Sequence, residues 1–343
     1  MLKLSFIMPC YNVAPYIGRC IESIETQDIP QAEFEVICVD DCSKDNTVEV
    51  IKEYQKQYPN IRLICHTENK TAGGARNTGM DAAHGEYLWF VDPDDAIVPE
   101  EAETLYEYAH NKQLEILVFN HLRIEDNNVG HDCKQISEFS SISNGPNFFM
   151  QYFPQRRMAE ITSVWRQLYK RSFCQDMNIR YPEIKAAQDV VFAWKAFLKA
   201  EKLAAVPNKG YICYRRTTST TGSKGRLAAR AIISQSILFA CEIYKLLGEN
   251  EAIDPLIKQD LNKAIDYAVN VDSRNILYTG RQNQKEFYQS LQLNKEKIDM
   301  LQPYMNRKTK RIFAYNMPYC LWQCQVWGYR IVNNIKQRES IKY

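Results

Sequence analysis

The sequence predicts an α/β protein: a mostly parallel sheet flanked by helices, followed along the chain by a helical C-terminal extension. Three observations carry this. Over the first hundred residues, short apolar runs alternate with stretches of helical period, the pattern of strand–helix units on a sheet covered on both faces. Four of those runs end in polar, largely acidic residues. Beyond Gly225 the periodicity is helical only.

In chain order, residues 4–8 form a first strand that Pro9, lacking an N–H, brings to a stop. Residues 15–26 place Tyr16, Ile17, Cys20, Ile21 and Ile24 at helical spacing, and 34–39 is a second buried strand closed by Asp40 and Asp41. A helix over 46–58 ends at Pro59 and Asn60; then come a strand at 61–65, a helix at 74–83 and a strand at 87–91 leading into Asp92, Asp94 and Asp95. Residues 114–120 read as another strand, and the Ser/Asn-rich stretch 125–147 as a loop. Order resumes in the aromatic stretches 148–153 and 164–169, a helix at 190–200 and a short strand at 211–214. Helices follow at 227–247, capped by Gly248, and at 254–271.

Composition narrows the class. With 45% hydrophobic and 24% charged residues, a disordered or collagen-like chain is excluded. A net charge of +2 gives no case for nucleic acid as partner. Residues 307–343 nevertheless carry a net +7, so the chain before them is at −5. The 11 cysteines show no Cys-x-x-Cys pair and no His spaced to complete a zinc site, so free thiols in a reducing compartment are expected. Met1, Leu2 and Lys3 lead directly into strand-like sequence, with no secretory leader, and no apolar run approaches about 18 residues. The expected location is cytoplasmic.

Ligands of open α/β sheets bind at the carboxyl ends of the strands. Those ends carry Tyr11 and Asn12, Asp40 and Asp41, Glu68, Asn69 and Lys70, and the cluster Asp92, Asp94 and Asp95. Crowded carboxylates suit a hard divalent cation bridging them to phosphates. The plainer reading of the last cluster is an acidic turn capping a helix that starts near Pro99.

Four blocks in order favour the first reading. They are Ser5 to Asn12, Val39 to Thr47, Gly74 to Gly79 with Gly85 to Tyr87, and Phe90 to Asp95. Together they resemble glycosyltransferase family 2, whose nucleotide-sugar-binding domain has the GT-A fold. Cys42 stands where that family carries glycine. The resemblance implies an inverting, metal-dependent transferase. It would move a sugar from a nucleotide-sugar, UDP being the commonest donor, to a hydroxyl of a glycan or lipid-linked glycan in cell-surface polysaccharide synthesis. It implies that Pro9 and Tyr11 line the nucleobase, Asp40 or Asp41 bonds the base or ribose, and Asp92 lies near the ribose and donor sugar. Asp94 would hold Mn²⁺ or Mg²⁺ on the two phosphates, and Arg76 would oppose the donor's negative charge.

The later signature is thinner. Trp165 to Arg171 resembles the segment before the family's acceptor site, and Asp189 matches its catalytic base, with Gln188 where the family carries Glu. An N-cap for the next helix is the alternative role for Asp189. Arg215 or Arg216 is expected near phosphates or acceptor, with Trp165 close by. The resemblance divides the chain into a nucleotide-sugar-binding half (1–110), an acceptor-binding half (111–225) and a helical region (226–343). A catalytically idle sugar-nucleotide or glycan-binding scaffold is the rival, supported by Gln188 alone. In the basic tail, Phe313, Met317, Leu321, Cys324, Trp327, Ile331 and Ile335 form an apolar stripe with aromatic neighbours including Trp322. That stripe suits either peripheral docking on the inner face of the cell membrane through 307–343 or packing on protein, a second copy in a homodimer included.

Overall fold

The structure is a computed structural model. It describes residues 2–125, 128–129, 142–152, 162–184, 187–215, 234–249, 253–276, 281–314 and 316–326. The chain forms two compact units, Met1–Arg216 and Thr217–Tyr343.

The first unit is built on one mixed sheet. Its strands are β1 (Leu4–Cys10), β2 (Phe34–Asp40), β3 (Ile61–Cys65), β4 (Tyr87–Phe90), β5 (Ala96–Ile97), β6 (Ile116–Glu125), β7 (Asn128–Val129), β8 (Gln167–Lys170) and β9 (Leu203–Arg215). The order is β3-β2-β1-β4-β8-β6-β9-β5, with β7 on β6. Pairings among β3, β2, β1 and β4 are parallel, as is β6 with β9; β8 runs antiparallel to both neighbours. Strand β9 is far longer than the expected 211–214, and Pro207 marks an irregularity in its register with β6.

Pro9 does not end the first strand; it sits within β1 opposite Val39. Ile7 accepts from Val91 on the β4 side at 3.0 Å. Pro9, two residues on, turns its missing donor to that side, where β4 has already ended.

Helices α1 (Ala14–Glu25), α2 (Thr47–Gln57), α3 (Thr71–Ala82) and α4 (Ala102–Asn111) cover the parallel half. On one face Phe6, Met8 and Cys10 join Ile17, Ile21 and Ile24 of α1 in a core completed by Trp89, packed between Phe6 and Phe119 at 5.5 and 5.1 Å. Each such large apolar side chain contributes on the order of 1.5–3 kcal/mol. On the other face α3 comes so close that a Cβ at Gly79 would lie 2.3 Å from Ile7. At Gly85 a Cβ would lie 2.5 Å from the backbone of Leu4, which accounts for both motif glycines.

Helix α5 (Gly145–Tyr152) begins inside the stretch expected as loop, and α6 (Arg171–Asp176) follows β8. Helix α7 (Gln188–Lys199) starts two residues before the expected 190. Below the sheet, buried Glu35 joins Ser5, Arg62 and the His84 backbone at 2.8, 2.7 and 2.6 Å.

The second unit contains α8 (Ser234–Glu249), α9 (Pro255–Ile276), α10 (Arg281–Leu293), α11 (Lys295–Leu301) and α12 (Arg307–Ile312). Gly248 lies inside the last turn of α8 rather than capping it. Asn270 is a hub, donating to Tyr304 O at 2.9 Å and accepting from Asn306 Nδ2 and Thr309 Oγ1.

The expected apolar stripe is rotated. Phe313, Trp322 and Val326 are buried, whereas Leu321 is 59% exposed and Cys324 is exposed. Trp322 donates to Ile312 O at 2.6 Å and packs on Phe287 and Tyr288, which removes it from a membrane-facing set. Tyr315 and 327–343 lie outside the described residues. No helix among the described residues is long and apolar enough to cross a membrane. The cysteines among them are all free.

Candidate active site

The parallel strands deliver their carboxyl ends to one rim, and side-chain bonds lock the loops there. After β1, Asn12 accepts from Lys44 N at 2.7 Å and its own N–H donates to Ser43 Oγ at 3.0 Å. Asp45 accepts from Ala14 N and Thr47 Oγ1 at 3.1 and 2.6 Å, which clasps the loop after β2 to the start of α1. These bonds explain why the first two sequence blocks occur together. Pro9 is buried at this edge, and Tyr11 is 50% exposed above it.

Cys42 adopts a left-handed backbone, φ 66°, the conformation a glycine would take without strain. Its thiol bonds His66 O at 3.2 Å.

Asp40 and Asp41 are both buried. Asp40 accepts from Ser43 N through Oδ2 at 3.2 Å, and its Oδ1 is buried with no partner among the described residues. Asp41 accepts from His66 Nδ1 and Lys70 N, both at 2.8 Å and both at Oδ1.

The centre of the site is Arg76. Its guanidinium, from α3, is buried; it donates through Nη2 to Asp92 Oδ1 and through Nη1 to Asp189 Oδ1, each at 2.7 Å. Burial works against its charge, but Asp189 and Asp92 outweigh burial and hold it protonated. Burial raises the Asp189 carboxyl above the ordinary carboxylate range, Arg76 opposing and Asp92 adding to the rise. Asp189 lies in the first turn of α7, after Ala187 in the left-handed region, so its carboxylate serves Arg76 and not a cap bond. Asn77, beside Arg76, exchanges two hydrogen bonds with the Tyr181 backbone at 3.0 and 2.9 Å. That pins Tyr181 below the guanidinium, 5.4 Å from its ring centre.

Gln188 has a task that the family's usual Glu could not perform. Its amide donates to Thr71 Oγ1 at 2.7 Å and to the Ile184 carbonyl. A carbonyl needs a donor, which a carboxylate lacks. Gln188 therefore fastens the start of α7 to the start of α3, and the support it lent to an idle scaffold falls away.

The acidic turn divides its labour. Asp95 is buried, accepting from Tyr211 Oη at 2.9 Å and Tyr214 N at 2.8 Å. Burial, then Asp92 and Asp94, push it well above the usual range. Tyr211 Oη also accepts from Asp92 N at 3.0 Å, and Trp165 stacks on Tyr211 at 4.6 Å. Trp165 thus stands one ring from the Asp92 backbone. Asp94 is half-buried; its carbonyl accepts from Arg19 at 2.6 Å, and that guanidinium lies 3.6 Å over Tyr214. No cluster of three or more ligating side chains occurs among the described residues. Asp94, with the second oxygen of Asp92, fits a hard cation held by one or two carboxylates and completed by phosphate oxygens, rather than a cage of protein ligands.

Arg215 ends β9 beside Glu125, and Arg216 lies outside the described residues. Sequence reasoning missed His66, Arg19 and Tyr211. A lone histidine just past a strand end was the only signal for the first; the other two depend on contacts across 75 and 116 positions.

A family model described as "Glycosyl transferase family 2" matches residues 5–176. Over 216 residues the chain is 31% identical to a poly(ribitol-phosphate) beta-glucosyltransferase of Bacillus spizizenii, covering 61% of this chain and 32% of that protein. It is 32% identical over 219 residues to the uncharacterized glycosyltransferase EpsJ of Bacillus subtilis, covering 64% and 62%. The chain thus spans less than two thirds of these relatives' length. In fold it resembles the crystal structure of S. aureus TarS 1-349 in complex with UDP, with TM-score 0.63, 21% identity, and 98% and 92% of the two chains covered.

Proposed function

The chain belongs to glycosyl transferase family 2, and from that premise we propose that it transfers a sugar from a nucleoside diphosphate donor to a hydroxyl of a glycan acceptor, with inversion. One observation carries the proposal: a single guanidinium, Arg76, joins Asp92 at the end of β4 to Asp189 at the start of α7. A donor-side acid and a candidate base are thereby held at one point.

In this reading Pro9 and Tyr11 border the base, and Asp40 or Asp41 accepts from the base or ribose. Asp92 orients the ribose and donor sugar. Asp94 would hold Mn²⁺ or Mg²⁺, which when bound supplies positive charge to a departing diphosphate. Arg76 braces the two acids with one N–H of each terminal nitrogen, and its charge opposes that of the donor. Asp189 takes the proton from the acceptor hydroxyl. Its carboxyl, raised by burial, is a stronger base than an ordinary Asp, and Arg76 fixes one oxygen while the other remains for the acceptor. Trp165 offers a ring beside the acceptor, and Arg215 or Arg216 would serve the phosphates or the acceptor.

UDP is the favoured donor nucleotide because TarS 1-349 is found in complex with it, and a polymer acceptor in cell-surface polysaccharide synthesis is favoured because one relative is named a poly(ribitol-phosphate) beta-glucosyltransferase. For a lipid-linked acceptor, support comes from the basic stretch 307–343 and not from Trp322. A donor-panel screen reading released nucleotide, with Mn²⁺ or Mg²⁺ and a glycan acceptor, tests the proposal. Release that requires acceptor and metal supports it; nucleotide binding with no turnover on any donor supports the scaffold.

A further inference from the structure

His66 ties the rim together from the end of β3. Its backbone N–H donates to Asp40 O at 2.9 Å, and its carbonyl accepts from the Cys42 thiol at 3.2 Å. Its imidazole is 6% exposed and makes two further contacts. Nδ1 meets Asp41 Oδ1 at 2.8 Å, and Nε2 meets Thr78 Oγ1 of α3 at 2.9 Å. A carboxylate only accepts, so Nδ1 carries the hydrogen towards Asp41, and Nε2 is left to a hydroxyl that serves in either role. Lys70 N adds a second donor to Asp41 Oδ1 at 2.8 Å, and Asp41 N is itself held by Cys10 O at 2.8 Å. The side-chain bonds from the described residues all fall on Oδ1, so Asp41 is fixed with Oδ2 as its remaining acceptor.

We infer that His66 is a positioning residue for base selection. By holding Asp41 through Oδ1 it presents Oδ2 to the donor's base as an acceptor-only group. Such a group bonds an imide N–H, as in uracil, and rejects cytosine, whose ring nitrogen at that position is itself an acceptor. His66 thus sets a preference for uridine over cytidine diphosphates without touching the nucleotide. This rests on the donor site proposed above.

Covalent geometry supplies the test. The amide nitrogen of Asn is as many bonds from Cα as Nδ1 of His, and that of Gln as many as Nε2. His66→Asn therefore keeps the donor to Asp41 and drops Thr78; His66→Gln does the reverse. Calorimetric titration with UDP and CDP at saturating Mn²⁺ is expected to show the wild type favouring UDP. His66→Asn should stay within about threefold for UDP. His66→Gln should lose about tenfold or more for UDP, the scale of one hydrogen bond to a charged group, with CDP little changed. His66→Ala, lacking both contacts, should match His66→Gln. Steady-state transfer should show a raised donor KM with kcat kept, and thermal melts should be similar for the Asn and Gln variants. A merely structural brace predicts that losing Thr78 hurts as much as losing Asp41. The inference is overturned if His66→Gln and His66→Ala keep wild-type UDP affinity and UDP/CDP ratio, or if His66→Asn fails as badly as His66→Gln. A wild type that binds no nucleoside diphosphate overturns instead the donor-site reading beneath it.

Discussion

Arg76 and Asp189 stand 113 positions apart in the chain and are joined by a hydrogen bond of 2.7 Å. The same guanidinium holds Asp92, so the turn after β4 and the first turn of α7 share one buried cation. A planar fork meets the two carboxylates from two separate nitrogens in fixed directions, a geometry that a compact ammonium does not reproduce. Arg76→Lys is therefore expected to lower kcat by about a hundredfold, the loss that a misplaced catalytic group brings, while UDP affinity stays within a few fold. Steady-state kinetics beside calorimetry checks this. Wild-type turnover in Arg76→Lys would show that the bridge has no part in transfer.

Asp189 should govern the acid limb of the pH profile. Burial raises its carboxyl above the ordinary value of 3.8. A base acts only when ionised, so activity should be full above that raised pKa and fall as pH drops through it. Half-loss of kcat/KM is expected above pH about 4, the ordinary Asp value. Asp189→Asn should lower transfer by about a hundredfold or more with UDP binding kept. An acid limb unchanged in a still active Asp189→Asn enzyme would assign the base elsewhere.

Cys42 tests whether the loop after β2 is strained. A side chain in the left-handed region costs about 1 kcal/mol, and Cys42 sits at φ 66°. Cys42→Gly removes that strain but loosens the unfolded chain, so a net gain of about 0.5 kcal/mol is expected. Cys42→Val should destabilise by about 1–2 kcal/mol, since a branched side chain tolerates this backbone worst. Urea denaturation of both variants reads the difference; equal midpoints would deny the strain.

Glu35 links acid stability to the base of the sheet. Burial alone would raise its carboxyl, yet bonds from the His84 backbone, Arg62 and Ser5 bring it below its ordinary value. A lowered pKa contributes stability that is full above the unfolded value and lost as pH falls through the folded one. Glu35→Gln should therefore lose about 1–3 kcal/mol at neutral pH. It should also flatten the fall in stability below pH about 4.5. An identical acid profile in the variant would remove Glu35 from that dependence.

The first hundred residues are legible in the sequence because their strands and helices are short, regular and punctuated. Residues 61–65 match β3 to the residue, and Asp92, Arg76 and Asp189, each singled out separately in the sequence, meet at one guanidinium. What escaped depends on contacts distant in sequence. Pro9 stays in β1 because β4 ends early, a fact of register and not of local propensity. Strand β9 extends through Pro207 and Asn208, before the expected start at 211, because β6 pairs with it on both sides of the irregularity there. Gln188 reads as a lost carboxylate in the sequence, whereas in the fold its amide donates to Thr71 and Ile184. The tail stripe was misphased because Trp322, not Leu321, finds the pocket beside Phe287.

Asp94 is the residue on which the proposed metal dependence turns. Titrating UDP into the wild type and Asp94→Ala, each with and without Mn²⁺, measures it directly. The account predicts that Mn²⁺ tightens UDP binding to the wild type by about tenfold or more, as charge on a diphosphate requires, and that Asp94→Ala abolishes this gain while keeping the metal-free affinity. Equal tightening in both proteins would contradict it.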